Sequence, residues 1–141
     1  MKFLIIILLP ILCFSQKNSL ENMFQKASIE FQICDSLISY CERKTSIRHQ
    51  AYLSAGWMIK SKYIKNYYKK FKLFSQGKKK LEQLITENPK IIELRWIRYC
   101  IQKNIPKLLN YKESLKEDSL LIFTYGNTYQ KNSIHQLNKI Q

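Results

Sequence analysis

Residues 81–111, LEQLITENPKIIELRWIRYCIQKNIPKLLNY, contain two prolines that divide the stretch into three helical pieces. The middle piece, residues 91–102, is apolar on most of its circumference. Its apolar residues are Ile91, Ile92, Leu94, Trp96, Ile97, Tyr99, Cys100 and Ile101. Because a helix of this kind must be covered on several sides, we expect it to be the central helix of a small all-α domain.

Apolar residues at spacings of three and four predict further helices on both sides of this central helix. The predicted helices are 19–44, 46–63, 77–88, 91–102 and 113–129, with a short helix near 108–111 closing one end of the core. We expect a single-domain bundle of about five to six antiparallel helices. The domain is predicted to span residues 16–130, and weak periodicity predicts a frayed tail over 131–141.

The first fifteen residues have the pattern of a secretory signal. Lys2 precedes an apolar run over residues 3–14, and Ser15 lies at a plausible cleavage point. The run is shorter than the roughly 20 apolar residues that span a bilayer, so no transmembrane helix is expected after signal removal. The chain is therefore predicted to be exported to the periplasm or the medium. The alternative is a lipid anchor on Cys13, although Leu12 departs from the small residue that lipoprotein signals have there.

The charge balance favours anionic partners. The formal net charge is +14, and it becomes +13 once Lys2 leaves with the signal. For an exported protein, the candidate partners are lipid headgroups, lipopolysaccharide, acidic glycans or an acidic protein rather than nucleic acid. High lysine content is also explained by solvated surface residues and codon bias.

Residues 60–80 contain nine lysines and no acidic residue. On a helical projection, one side carries the candidate contacts for an anion or a partner, which are Lys62, Lys65, Lys69 and Lys72. The aromatic residues of this stretch fall broadly on the other side, where we expect them to join the core. They are Tyr67, Tyr68, Phe71 and Phe74.

Three cysteines remain after Cys13 is removed, and an odd number leaves at least one thiol unpaired within the chain. Cys34 and Cys41 are seven residues apart, or about 10 Å along a helix, which is too far for a disulfide. Either of them could pair with Cys100. The alternative is that all three are small buried hydrophobic residues. No Cys/His cluster is present, so we expect neither a metal nor a cofactor.

A polar stripe crosses the central helix. Arg95, Arg98 and Gln102 lie at positions i, i+3 and i+7 and share one face. We expect a structural network in which the arginines bind a carboxylate such as Glu93, Glu82 or Asp118. The alternative is a concave anion site, because guanidinium groups suit carboxylates and phosphates.

Two resemblances follow from these motifs. The spacing of Gly77, Leu81, Leu84 and Pro89 resembles the second half of a tetratricopeptide repeat, which implies TPR-like antiparallel hairpins. No second copy follows at a period of about 34 residues.

The mature chain also resembles an uncharacterised set of small exported all-helical proteins of Bacteroidetes-type bacteria. The resemblance rests on AYLSAGWMIKSKY, on the segment around GKKKLEQLI, and on an ExRxxRxxxQ-like pattern. Here that pattern is Glu93, Arg95, Arg98 and Gln102. The resemblance implies fold and location but no activity.

No catalytic motif is found, and the two histidines, His49 and His135, lie far apart in the sequence. We therefore expect a non-catalytic protein that binds a protein or another envelope component through a helical surface. One alternative is binding of anionic surfaces through residues 60–80. A second alternative is a small enzyme with an unrecognised site.

Overall fold

The computed structural model describes residues 20–140, which form seven α-helices, one 3₁₀ turn and no strand. The helices are α1 (Leu20–Ala27), α2 (Phe31–Glu42), α3 (Ile47–Ser61), α4 (Tyr67–Glu87), α5 (Ile92–Asn104), α6 (Leu115–Tyr125) and α7 (Thr128–Lys139), and the 3₁₀ turn is Lys107–Leu109. The predicted all-α bundle is confirmed, with seven helices instead of five or six. The predicted signal over residues 1–15, and Cys13 within it, lie outside the described residues.

Two helices form the centre of the bundle. The predicted central helix, α5, buries eight of its 13 residues and contacts α3, α4, α6 and α7. α3 buries nine of its 15 residues and contacts α1, α2, α4 and α5. Small residues let these neighbours approach closely. A Cβ atom on Gly77 of α4 would lie 2.5 Å from the Ser54 carbonyl oxygen of α3.

The prediction of one continuous helix over 19–44 is wrong, because the chain turns between α1 and α2. Apolar spacing continues across this turn, so periodicity could not reveal it. The carbonyl groups freed at the end of α1 have partners from the end of α3. Lys62 Nζ donates to the Ser28 carbonyl at 2.8 Å, and the Tyr63 hydroxyl donates to the Ala27 carbonyl at 3.1 Å. These long-range bonds satisfy the helix end that the sequence alone leaves open.

α4 is one 21-residue helix, which extends ten residues before the predicted start at Gly77. Asn66 caps it by accepting a hydrogen bond from the Lys69 backbone nitrogen at 2.9 Å. The prediction that four aromatic residues of this stretch join the core holds only for Phe74. Tyr67, Tyr68 and Phe71 are 85%, 75% and 64% exposed, because no described element covers the first turns of α4.

The C-terminal segment forms a seventh helix, α7, that packs on the bundle where a frayed tail was predicted. The predicted last helix ends at Tyr125, and α7 begins after a capping box formed by Asn127 and Gln130. Ile134 of α7 is fully buried. The indole Nε1 of Trp96 donates to Ser133 Oγ at 2.6 Å. α7 therefore covers the central helix.

The two predicted proline turns are found where expected. α4 ends at Glu87, before the turn that contains Pro89, and the 3₁₀ turn follows Pro106. Tyr111 is fully buried beyond this turn, whereas Leu108 is 94% exposed and does not close the core as predicted. None of the helices between residues 20 and 140 is both long and apolar enough to cross a bilayer.

Candidate functional site

The arginines of α5 meet carboxylates from two other helices. Arg98 Nε lies 2.7 Å from Asp118 Oδ2, and its Nη2 lies 2.7 Å from Asp118 Oδ1. Its Nη1 donates to Glu82 Oε2, also at 2.7 Å. Arg95 Nη1 lies 3.1 Å from Glu117 Oε1 and 3.3 Å from Asp118 Oδ1. The structure thus brings Arg95 and Arg98 together with two of the three carboxylates that the sequence suggested.

This network ties α4, α5 and α6 together. Burial lowers the pKa of Arg98, but hydrogen bonds and charges from Asp118 and Glu82 raise it above its usual value. The Tyr111 hydroxyl donates to Glu82, and burial followed by that bond raises the tyrosine pKa. Because Nε, Nη1 and Nη2 of Arg98 all donate to the protein's own carboxylates, this guanidinium has no pair of free N–H groups for an external anion.

Glu93 belongs to a different network. Both of its oxygens accept from Arg48 Nε at 2.9 Å, and its Oε1 also accepts from the Tyr52 hydroxyl at 2.6 Å. Arg48 Nη2 lies 2.5 Å from Glu21 Oε1, so the cluster joins α1, α3 and α5. Sequence reasoning missed this cluster. Its one signal is the placement of Arg48 in the first turn of α3, where a cation is unfavourable unless it is paired.

Gln102 lies on the same helix as the arginine network but does not join it. Its side chain is fully buried, and neither its Oε1 nor its Nε2 has a hydrogen-bond partner among residues 20–140. The predicted four-residue set is therefore divided. Arg95 and Arg98 share one network, Glu93 is in another, and Gln102 is bonded in neither.

The three cysteines are buried free thiols, and no disulfide joins Cys100 to Cys34 or Cys41. Burial raises the pKa of Cys34 and of Cys41 to about 11. The Cys34 thiol donates to the Gly56 carbonyl at 3.6 Å, which places it against α3. These side chains behave as small core residues, since a buried neutral thiol is a weak nucleophile.

An exposed aromatic and cationic surface lies at the start of α4. We define the aromatic–lysine end as Lys65, Tyr67, Tyr68, Lys69, Phe71 and Lys72, all of which are exposed. None of its three lysines forms an ion pair with any residue of the described chain. Lys62, predicted to share this face, is instead bonded to the end of α1. The sequence also lacks any acidic residue from 43 to 81, so the local field is positive.

A second surface feature lies on α6. A shallow open depression is lined by Glu113, Lys116, Glu117, Ser119, Leu120 and Phe123. Leu120 is 69% exposed and Phe123 is 46% exposed, so the depression offers an apolar strip beside two carboxylates. Within residues 20–140, no group of three or more His, Cys, Asp or Glu side chains is arranged to hold a metal ion.

No family model, curated protein or solved structure matches this chain. The resemblances to tetratricopeptide repeats and to small exported bacterial proteins therefore stay predictions. The features that bear on function are those of the chain's own surface, and the most distinctive is the aromatic–lysine end of α4.

Proposed function

We propose that the chain is an exported, non-catalytic binding protein of the cell envelope, and that it binds an anionic partner through the aromatic–lysine end of α4. The observation that carries this proposal is the exposure of Tyr67, Tyr68 and Phe71, at 64–85%, beside three unpaired lysines. Large aromatic side chains clustered on a surface are typical of a binding site.

The charge of the surrounding chain supports an anionic partner. Lys65, Lys69 and Lys72 have no acidic neighbour in sequence closer than Glu82. An opposite charge on the partner would replace the missing intramolecular ion pairs and accelerate encounter.

The interior of the bundle supports a non-catalytic role. Its charged groups are used to hold helices together, as shown by the pairing of Arg98 with Asp118 and Glu82. Catalytic acids and bases need access to a substrate, whereas the Asp118 side chain has no exposed surface.

Retention on immobilised heparin, a sulfated anionic glycan, tests the proposal with a defined probe. The predicted mature chain, residues 16–141, contains every described core residue, from Leu20 to Ile134. We expect Lys65→Gln/Lys69→Gln/Lys72→Gln to elute at clearly lower salt than the unchanged chain. The matched control, Lys90→Gln/Lys131→Gln/Lys139→Gln, removes the same charge elsewhere and should elute close to the unchanged chain. Equal elution of the two variants would show that net charge alone governs binding.

The apolar depression on α6 favours a second candidate function, which is binding of a protein partner. An interface formed by Leu120 and Phe123 would resist high salt, because apolar burial is not screened. Capture from an envelope extract that survives a high-salt wash and is lost in Leu120→Ser/Phe123→Ser would favour this surface. Capture that is lost at high salt and in the Lys65, Lys69 and Lys72 variant would favour the aromatic–lysine end.

A further inference from the structure

We infer that the aromatic–lysine end of α4 docks on an anionic lipid bilayer, with its aromatic rings at the headgroup level and its lysines against lipid phosphates. This inference rests on the proposed function and names the class of partner. It follows from the register of the aromatic residues on α4, from their exposure and from the charge around them.

Two of the three exposed aromatic residues, Tyr67 and Phe71, continue the inward stripe of α4. Tyr67 lies seven residues before the buried Phe74, and Phe74 lies seven residues before the buried Leu81. Positions seven apart fall within about 20° of each other on a helix, and Phe71 lies about 40° from Tyr67. The stripe that packs into the core therefore runs on past the bundle, where no described element covers it. An apolar stripe that continues without cover is a surface that a partner can bury.

The composition of this end fits a membrane interface. Tyrosine rings have an apolar body and a polar hydroxyl, and such side chains are enriched where hydrocarbon meets water. Phe71 supplies a fully apolar ring, and long lysine side chains can extend their charged ends toward phosphates.

Charge and shape favour a bilayer over other partners. Anionic lipids present many phosphates in one plane, and they attract lysines that have no acidic residue nearby in the chain. The aromatic–lysine end is the first turns of a helix together with Lys65 before it, and none of its residues lines the depression on α6. A planar, deformable surface can receive this end of the helix without a complementary groove.

Vesicle sedimentation with the predicted mature chain tests the inference. Vesicles of phosphatidylglycerol and phosphatidylcholine should bind the chain, whereas pure phosphatidylcholine vesicles should bind it far more weakly. Each lysine near an anionic surface strengthens binding about fivefold, so Lys65→Gln/Lys69→Gln/Lys72→Gln should weaken it on the order of 100-fold. The control, Lys90→Gln/Lys131→Gln/Lys139→Gln, should change it by much less.

The aromatic contribution needs its own variant. Tyr67→Ser/Tyr68→Ser/Phe71→Ser retains every lysine and should weaken vesicle binding about tenfold or more. Its matched control, Leu108→Ser/Tyr125→Ser/Ile140→Ser, removes three exposed apolar side chains elsewhere and should bind like the unchanged chain. Circular dichroism and thermal unfolding of each variant check that the fold is retained, as expected for exposed positions.

Depth of insertion supplies a direct readout. Compared with the unchanged chain, whose emission comes from Trp57 and Trp96, Tyr67→Trp should add emission that is blue-shifted on anionic vesicles and quenched by brominated lipid. Tryptophan introduced by Leu120→Trp, on α6, should show neither change. Quenching of the second variant alone would place the membrane contact on α6 and overturn the inference.

The outcomes separate the inference from the proposed function. If the aromatic variant binds vesicles as tightly as the unchanged chain, or if Tyr67→Trp is not quenched, the bilayer inference is wrong. If heparin retention still depends specifically on Lys65, Lys69 and Lys72 in that case, the proposed binding of an anionic partner stands. If neither vesicles nor heparin distinguish the lysine variant from its control, both are wrong.

Discussion

Arg98 on α5 and Asp118 on α6 form a two-pronged ion pair, with Nε to Oδ2 and Nη2 to Oδ1 both at 2.7 Å. The Asp118 side chain has no exposed surface, and the Arg98 side chain is 6% exposed. Removing one member of a buried pair leaves the other without its counter-ion in a region of low dielectric constant, which is costly.

Asp118→Ala should therefore lower the free energy of unfolding by about 3–5 kcal/mol, measured by urea denaturation. Glu117 is the control, because it contacts Arg95 from a largely exposed position, and Glu117→Gln should cost less than about 1 kcal/mol. The double variant Arg98→Met/Asp118→Leu should recover part of the loss, because it removes both buried charges, while Glu82 keeps its bond from Tyr111 and Arg95 keeps Glu117. Equal stability of Asp118→Ala and Glu117→Gln would contradict the structural role of the pair.

Gly77 should be intolerant of alanine because of the contact between α3 and α4. The added Cβ would lie 2.5 Å from the Ser54 carbonyl oxygen and 2.8 Å from Met58 Cγ, so α3 itself would have to move. We expect Gly77→Ala to destabilise the fold by about 1–3 kcal/mol in thermal or urea unfolding.

Gly56→Ala, at the contact between α3 and α2, is the matched substitution. Its Cβ would meet Ile38 Cγ1 at 2.8 Å, a side-chain atom that can shift more easily than backbone. Alanine also favours the helix by about 1 kcal/mol relative to glycine, which offsets part of the cost. The close approach at Gly77 would be refuted if the two variants were equally stable.

The packing of α7 against α5 predicts that the Ser133 side chain contributes to the stability of the fold. Ser133→Ala leaves the buried Trp96 indole nitrogen without its acceptor and should cost about 1–3 kcal/mol. Ile134→Ala, which opens a cavity beside it, should cost about 2–5 kcal/mol. Urea unfolding followed by tryptophan fluorescence measures the stability of both variants. His135→Ala, at an exposed position on the same helix, should leave the midpoint unchanged.

The buried thiols predict how stability depends on alkaline pH. Because burial raises the pKa of Cys34 and Cys41 from 9.0 to about 11, the folded state holds their protons more tightly than the unfolded state. Their contribution to stability is complete below about pH 9 and is lost as the pH rises through about 11. The midpoint temperature of thermal unfolding should therefore fall more steeply from pH 8 to pH 11 in the unchanged chain than in Cys34→Ala/Cys41→Ala.

Reaction with iodoacetamide at pH 8 tests the same thiols from another direction. A pKa near 11 instead of 9.0 lowers the thiolate fraction about 100-fold, and burial limits access further. The folded chain should thus be alkylated at least about 100-fold more slowly than the chain in urea. Rapid alkylation of the folded chain would contradict the burial of these cysteines.

Much of the fold can be read from local pattern, and the errors have a common physical cause. The apolar content of residues 91–102 identified the central helix, and the prolines identified its borders. Periodicity gave the direction of Tyr67 and Phe71 on α4 but could not show that the bundle ends before them. The apolar periodicity also continued across the turn at Ser28, where hydrogen bonds from Lys62 and Tyr63 satisfy the free carbonyl groups. Both of these errors concern contacts between residues distant in sequence.

For the candidate site, local spacing likewise predicted some features, and contacts between distant residues decided others. The spacing of Arg95 and Arg98 indicated one face, and Asp118 and Glu82 were among the expected partners. Glu93 was expected as a partner of these arginines, but two residues before Arg95 it points about 200° away, toward Arg48. For α7, the missed signal was local, because Asn127 and Gln130 have the spacing of a capping box.

The residues at the uncovered start of α4 are not the residues that stabilise the fold. Tyr67, Tyr68 and Phe71 lie outside the hydrophobic core, and Tyr67 is 15 residues, or about 22 Å along the helix, from Glu82 in the arginine network. Substitutions at these three positions are therefore largely invisible to selection for folding. Over generations, the rate at which they change should record how strongly the organism depends on what this end of the molecule touches.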